Sequence, residues 1–422
     1  MNIFVIGGGG REYAIIKKLK ENHNIKNIYC APGNGGIEQL ANCINISPID
    51  FKKQLEYIKD KNIDYIIVAP DDPLALGAVD FFEKEGYLCF GPRQNAARIE
   101  SSKSFAKDLM KKYNIPTAKY ETFISYDEGI NYIDNNEGPY VLKADGLALG
   151  KGVLITKDKD EAKDILKSML IENKFGDAGK KVVIEEFLEG PEVSVLCFSD
   201  GNIIKPMLSS MDHKRIGDND TGLNTGGMGV IAPNPFYTKQ LEEETMNSII
   251  LKTIDALNKE GCPFKGCLYF GLMLTKNGPK VIEYNCRFGD PETQAVLELM
   301  ESDLLDTMIA CTKGNLKDID LKFSDDYCCF VVASSKGYPE AYEKGFLINI
   351  DDEIKDYTII AGASLKDNKL YTNGGRVLGV LGRGKTLEEA INIAYERMKK
   401  INFEGIYYRK DIGQKGLNKD GL

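Results

Sequence analysis

Over the first hundred residues, short apolar runs alternate with amphipathic stretches. Residues 3–7 (IFVIG), 27–31 (NIYCA) and 64–69 (DYIIVA) have the length and apolar content of buried strands. Residues 11–20, 50–61 and 74–86 carry the amphipathic pattern of helices between and after them. This βαβα order predicts a parallel sheet with helices on both faces. From about Lys103 the pattern changes. A helix carrying Lys107 ends before Pro116, and two strands (YVLKADG and KGVLIT) flank a glycine hairpin. A strand, a turn at Gly190-Pro191 and another strand follow. Beyond about Asp325, alternating apolar strands and the helix TLEEAINIAYERMKK predict an α+β domain packed on the preceding one. The expected fold class is α/β and α+β multidomain, with an N-terminal domain over 1–102, a central domain over 103–325 and a C-terminal domain over 326–422.

Three loops fall at the carboxyl ends of N-terminal strands, the edge where open parallel sheets bind ligands. The first, Gly7 to Gly10, opens a helix whose N–H groups suit an anion; a tight turn is the plain alternative. It does not fit the dinucleotide fingerprint, because the third glycine position is Glu12 and the second strand ends Cys30-Ala31-Pro32 without an acid. NAD is therefore disfavoured. Gly9, Gly10 and Arg11 of this loop, Gly33 and Asn34 of the second, and Pro70 and Asp71 of the third are candidate substrate-binding residues.

In the central region, the hairpin from Gly146 to Gly152 is not a GxxxxGK[ST] loop. Lys143 stands in an apolar strand, where burial is costly without an anion, and so points to phosphate. Gly150, Lys151 and Gly152 can close over phosphates through their N–H groups, although a solvated hairpin has the same composition. Glu185 to Leu188, including Glu186, end a strand where backbone groups and one carboxylate can hold a purine edge. Glu192 is placed to take ribose hydroxyls. Each acid alone reads as a solvated turn residue. The polar, glycine-rich loop from Asp212 to Gly229 exceeds the length at which loops are usually functional or disordered, about 12 residues. Its Lys214, Asn224, Thr225, Gly226, Gly227 and Met228 make it a candidate substrate loop, with disorder as the alternative.

The most telling stretch is Val281-Ile-Glu-Tyr-Asn-Cys-Arg-Phe-Gly-Asp-Pro-Glu. Alternate residues of a strand share a face, so Glu283 and Asn285 aim two oxygens at one point, a pairing that suits a hard cation such as Mg²⁺. Arg287 follows within two residues, and the turn presents Asp290 and Glu292. A metal beside an arginine suits a pocket for transferring phosphate.

Composition narrows the classes. The chain has 422 residues, 43% hydrophobic and 28% charged, with net charge −9. That balance disfavours nucleic acid and anionic membrane surfaces as partners. No apolar run reaches a membrane span, and nothing resembles a secretory signal. Ten cysteines without a CxxC pair fit reduced thiols in a cytoplasmic protein. Only two histidines, His23 and His213, are present, so chemistry must rest on lysine, arginine, carboxylates and a metal.

The motifs GGGGREYA, KADGLALGKGV, EEFLEGPEVS, DHKRIGDNDTGLNTGGMG, NCRFGDPETQ, TNGGRVLGV and YYRKDIG occur in that order, from Val5 to Gly413. Together they resemble the glycinamide ribonucleotide synthetase (phosphoribosylamine–glycine ligase) family of the ATP-grasp superfamily. RFGDPETQA carries most of the specificity; the glycine hairpin alone indicates only ATP-grasp. The resemblance implies a Rossmann-like N-terminal domain, an ATP-grasp fold with a mobile lid at about 120–190, and a small α+β C-terminal domain. It implies ligation of glycine to 5-phosphoribosylamine with ATP, in purine synthesis. Lys107 and Lys143 would contact ATP phosphates, Glu185 to Leu188 the adenine, Glu192 the ribose, and Glu283 with Asn285 the Mg²⁺ or Mn²⁺. Tyr13 replaces the family's usual histidine, and Asp71 stands where glutamate is common.

The expected mechanism is acyl-phosphate chemistry, with Arg287 holding the carboxylate or the transferred phosphoryl group. Asp290 or Asp212 would orient or deprotonate the amine. The expected partners are small molecules only. The expected protein is a cytoplasmic monomer with transient contacts to other purine-pathway enzymes. Rival readings are a ligase for another acid or amine, a nucleotide-sensing binding protein and, more distantly, a dehydrogenase.

Overall fold

Along β1 (Asn2–Gly7), Ile3 and Val5 face one hydrophobic core while Phe4 and Ile6 face another. Burial on both sides is what a helix-covered parallel strand requires. In the computed structural model, which describes residues 1–147 and 152–417, β1 pairs in parallel with β2 (Asn27–Pro32) and β4 (Tyr65–Val68). The short β3 (Asn42–Cys43) and β5 (Leu88–Phe90) complete a sheet of order β3-β2-β1-β4-β5. Helices α1 (Gly10–Leu19) and α2 (Phe51–Asp60) lie where the pattern predicts. The helix expected over 74–86 is instead two, α3 (Asp71–Ala75) and α4 (Ala78–Lys84). They break at Gly77, whose φ of +83° is left-handed backbone that glycine adopts at little cost. The sequence reading passed over β5 and α5 (Gln94–Ser101), which are too short for a clear period.

Ser102 caps α6 (Lys103–Lys112) by accepting from the Phe105 N–H. A compact subdomain follows: β6 (Tyr120–Phe123), α7 (Tyr126–Asn135), β7 (Tyr140–Ala144), β8 (Val153–Thr156), α8 (Lys159–Leu170) and β9 (Val182–Glu186). Its antiparallel sheet runs β6-β9-β7-β8 over a private core including Phe123, Leu142, Leu166 and Ile184. A core of its own is what allows such a unit to move as one body.

The largest sheet is built from β10 (Glu192–Asp200), β11 (Ile204–Asp212), β14 (Gly229–Ala232), β15 (Lys265–Thr275), β16 (Gly278–Asn285) and β17 (Tyr327–Ser335). Between β11 and β14, β12 (Arg215–Gly217) pairs with β13 (Thr221–Asn224) in a ribbon. The sheet order is β16-β15-β10-β11-β14-β17, extended by strands Arg376–Gly384 and Thr358–Ile360. The C-terminal region, expected as an α+β domain packed on the central one, also joins the central sheet edge to edge, through the β14–β17 pairs Gly229↔Val331 and Ile231↔Cys329. Backbone hydrogen bonds therefore tie the loop that precedes Gly229 to the C-terminal strands. No described helix is long and apolar enough to cross a membrane.

Candidate active site

The carboxylate of Glu185 lies between two lysines, 2.9 Å from Lys107 Nζ and 3.0 Å from Lys143 Nζ. All three residues are buried. Lys107 comes from α6 and also donates to Thr117 Oγ1 at 2.8 Å, which in turn donates to the Val281 carbonyl at 2.8 Å. Lys143 comes from β7 and donates to the Ile282 carbonyl at 3.0 Å. Ile282 is the extra residue of a bulge where β16 slips against β15, and the bulge frees its carbonyl from the ladder. Burial, opposed by Glu185 and aided by Lys143, pushes the Lys107 ammonium down to about 8. Two ammonium groups share one carboxylate, so this buried cluster has one positive charge in excess. An anion would balance it. Glu185 was expected at the purine edge with its neighbours; it faces the lysines instead. Glu186, on the other face of β9, is held by Lys280 at 3.2 Å and by the Lys119 N–H at 3.0 Å. Leu188 lies just beyond the strand.

On β16 the period-2 reading holds: Glu283 and Asn285 are half-buried while Tyr284 between them is buried. With its amide oxygen and nitrogen assigned by the hydrogen-bonding surroundings, Asn285 donates from nitrogen to Glu100 Oε1 and the Tyr284 carbonyl, both at 3.0 Å, and its oxygen faces the opposite side. Burial raises the Glu283 carboxyl, but Lys214, Lys143, Lys103 and Arg287 outweigh it and hold the group below the usual carboxylate range. Lys214 Nζ lies 3.8 Å from Glu283 and 2.9 Å from the exposed Glu192. A carboxylate and an amide oxygen fit a hard cation. The surrounding ammonium groups oppose one, and among the described residues no group of three or more His, Cys, Asp or Glu side chains could hold a metal.

Arg287 forms an ion pair with Glu100, Nη2 to Oε1 at 3.0 Å, and its buried Nε has no partner. Burial alone would lower its pKa; Glu100 and Asp71 reverse that and raise it. Asp290 is held by Arg376 at 3.1 Å and Gln294 at 2.8 Å. Arg376 and Arg11, with the Gln294 hydrogen bond, hold its carboxyl below the usual range against its burial. Arg376 also donates to the carbonyls of Gly226 at 2.6 Å and Asp290 at 3.0 Å, pinning the glycine loop to the turn. Thr225 Oγ1 donates to the Lys214 carbonyl and accepts from the Gly227 N–H, both at 2.9 Å. The loop is thus ordered. Asp212, at the end of β11, has a buried Oδ1 without a partner. Burial and the nearby Glu292 push its carboxyl well above the ordinary range.

Several expected contacts come out differently. The Gly9 N–H is already taken by Glu12 Oε2 at 2.6 Å, so α1 begins with its own carboxylate at the anion position. Gly9 still borders Asp290: a Cβ there would stand 3.7 Å from Asp290 Oδ2. Gly10 is packed under Gln294 and Ala361. Arg11 donates to Glu12 and to the Phe288 carbonyl, linking the first loop to the turn that follows β16. The Asn34 side chain is consumed by the Gly8 and Ile360 carbonyls and the N–H groups of Gly36 and Ile37. Gly33 lines a cleft of about 900 Å³ shared with Ser364 and Asn373. Pro70 precedes α3, whose first residue Asp71 is half-buried. Met228 is fully buried, so its side chain belongs to the core rather than to a substrate site. Asn224 is exposed on the β12–β13 ribbon. His213 is a packed strut: it contacts the Gly229 carbonyl through Nδ1, accepts from the Gly413 N–H through Nε2, and burial lowers it to about 4. Gly152 precedes β8, while Gly150 and Lys151 lie outside the described residues.

The sequence reading missed Glu100, Gln294 and Lys103. Glu100 shares the buried face of α5 with Ala96, Ala97 and Ile99, and an acid on an apolar face was the available signal.

Models of the three phosphoribosylglycinamide synthetase domains match nearly the whole chain: the N domain at 1–100, the ATP-grasp (A) domain at 101–293 and the C domain at 328–415. A phosphoribosylamine–glycine ligase of Caldanaerobacter subterraneus is 48% identical, the match covering 98% of this chain and 99% of that protein. One from Clostridium acetobutylicum is 45% identical, covering 98% and 100%. The crystal structure of phosphoribosylamine–glycine ligase from Thermotoga maritima superposes with a TM-score of 0.87 at 35% identity, covering 98% and 100%. The chain belongs to the phosphoribosylglycinamide synthetase family and has the ATP-grasp fold.

Proposed function

We propose that this family member joins glycine to 5-phosphoribosylamine, converting ATP to ADP and phosphate and giving glycinamide ribonucleotide. The observation that carries the reading is the Lys107–Glu185–Lys143 cluster, with its surplus positive charge, abutting the strand of Glu283 and Asn285. The triphosphate would supply the missing anion. Lys107 and Lys143 take its phosphates, residues 186–188 border the adenine, and Glu192 takes the ribose. Glu283 and Asn285 would hold Mg²⁺ or Mn²⁺, which when bound neutralises phosphate charge. The functional division falls near residues 102 and 325, with 120–190 as the lid.

A carboxylate is a poor acyl donor, so glycine's carboxylate oxygen attacks the γ-phosphorus and ADP leaves. Arg287, whose Nε is unpartnered, steadies the carboxylate or the transferring phosphoryl group. The amine nitrogen of phosphoribosylamine then attacks the carbonyl carbon of glycyl phosphate. Phosphate departs, and the amine proton passes to a carboxylate, for which Asp290 and Asp212 are the candidates. Glycyl phosphate hydrolyses readily, which gives the lid its reason to exclude water. Carboxylate-¹⁸O glycine should deliver one label to inorganic phosphate; its absence refutes the intermediate. Arg287→Ala should lower kcat by about 10²–10³-fold while leaving ATP binding nearly intact. With free thiols throughout, a reducing cytoplasm is the natural setting. The protein should sediment as a monomer of 46.9 kDa; a concentration-independent dimer contradicts that.

A further inference from the structure

Strands β2 and β3 bring two cysteines side by side. Cys30 and Cys43 are direct partners in the parallel β2–β3 pairing, so their side chains leave the sheet on the same face. Both pack on one core, Cys30 fully buried and Cys43 at its margin. Neighbouring strands run about 4.8 Å apart. A disulfide spans Cα separations of about 4.4–6.8 Å, so this pair can close with little movement of backbone. All ten cysteines are free, and Cys43 alone is half-buried. It lines the cleft of about 900 Å³ shared with Gly33 and Asn34. Burial pushes the thiols of Cys89, Cys197, Cys267 and Cys329 up. The Cys30 thiol and the Asn34 N–H instead hold Cys43 below the ordinary thiol range, against burial and the Glu38 carboxylate. A thiol reached from a cleft and favoured as thiolate is the one that reacts. Cys30 also donates from sulfur to the Gly7 carbonyl at 3.3 Å, and the Gly33 N–H donates to the same carbonyl at 3.0 Å. The cysteine pair is thereby tied to the first glycine loop.

We propose that Cys30 and Cys43 form a peroxide-responsive dithiol, closing to a disulfide that loosens the first glycine loop. The Cys43 thiolate attacks one oxygen of hydrogen peroxide and the O–O bond breaks. Hydroxide leaves and takes up the proton that Cys43 lost, giving water. Cys43 is then a sulfenic acid, oxidised by two electrons, and the peroxide is reduced. The Cys30 sulfur next attacks the Cys43 sulfur. An S–S bond forms, the S–O bond breaks, and the departing hydroxide takes the Cys30 proton as a second water. Access fixes this order, because Cys30 is fully buried and the reagent meets Cys43 first. The oxidised Cys30 has no S–H, so the Gly7 carbonyl loses one of its two donors. The loop that Gly7 opens carries Gly9, which borders Asp290. A dithiol reductant returns both cysteines to thiols by exchange. The disulfide does not depend on the ligase reading; its effect on turnover rests on it.

The intact protein is exposed to hydrogen peroxide, its remaining thiols are alkylated, and its peptides are mapped by mass spectrometry with and without dithiothreitol. We expect one peptide pair joined through Cys30 and Cys43, the other cysteines alkylated, and both thiols recovered with dithiothreitol. In Cys30→Ser the resolving sulfur is gone, so Cys43 should accumulate as a sulfenic acid that dimedone captures. Should that variant fail to fold, the wild-type map decides alone. Oxidation first at any other cysteine overturns the proposal. So does Cys43 carried to sulfinic acid in the wild type with no joined peptide. The same samples are assayed for ADP release with ATP, Mg²⁺, saturating glycine and varied 5-phosphoribosylamine. Loss of one hydrogen bond at Gly7 should lower kcat/KM for the amine by about fivefold. Dithiothreitol should restore it, and peroxide should leave Cys43→Ser at its own starting value. An unchanged kcat/KM in the cross-linked enzyme overturns the loosening of the loop. Lack of ADP release by untreated wild type would instead refute the ligase reading and leave the mapped disulfide standing.

Discussion

The two halves of the proposed site treat charge differently. In the half we assign to nucleotide, Lys107 and Lys143 form ion pairs with Glu185, whose Oε1 makes no hydrogen bond, and each lysine donates to a further oxygen. In the half we assign to the amino acid, Asp212 Oδ1 and Arg287 Nε have no partner, and Glu292 has only a neutral hydroxyl. A paired cluster is assembled before its ligand arrives; unpaired groups hold stored desolvation cost that a ligand can relieve. Under the proposed function, the triphosphate meets an ion-paired cluster, whereas glycine's carboxylate meets a guanidinium that still lacks a partner at Nε.

The sharpest way to break the contrast is Lys143→Ala. It removes the surplus ammonium that the triphosphate would balance and leaves Lys107 paired with Glu185. We expect kcat/KM for ATP to fall by about 10³-fold, measured by coupled ADP release, with Tm little changed by calorimetry. A variant with normal ATP use contradicts the reading.

On the other side the charge removed is an acid. Asp212→Asn replaces a half-buried carboxyl whose Oδ1 has no partner, so the ligand-free protein should gain about 1 kcal/mol. Calorimetry without substrates checks this, and a loss of stability would mean the acid has a partner in solution.

A smaller effect follows from Lys107, lowered to about 8 by burial. Below that pH the ammonium is charged and binds phosphate; above it the charge is lost. The log of kcat/KM for ATP should therefore decline above about pH 8, with a slope up to one per pH unit. The limb should be weaker in kcat, because bound triphosphate favours the protonated form. A flat profile to pH 10 would show that Lys107 keeps its ordinary pKa.

Much of this was legible in the chain because it is local. Period-2 spacing put Glu283 and Asn285 on one face, and a lysine amid Val141, Leu142 and Ala144 called for a negative partner, which Glu185 supplies. The helix pattern over 74–86 misled because it could not show the left-handed turn at Gly77. What stayed hidden is long-range. Glu100 reaches Asn285 and Arg287 from a helix nearly two hundred positions earlier. Arg376 closes the glycine loop from the C-terminal strand. Glu185 looked like a strand-end acid, and only the β7–β9 pairing turns it toward Lys143. The consumption of Gly9 and Asn34 by neighbouring backbone could not be seen in their motifs either.

The central claim is that the cation site is completed by nucleotide: Glu283 and Asn285 supply two oxygens among lysines that repel a bare metal. Titration of Mn²⁺ by electron paramagnetic resonance, with and without a non-hydrolysable ATP analogue, measures this directly. We expect negligible binding to the protein alone, strong binding with the analogue, and loss of the nucleotide-dependent site in Glu283→Gln. Tight Mn²⁺ binding without nucleotide, or an unchanged site in Glu283→Gln, would contradict it.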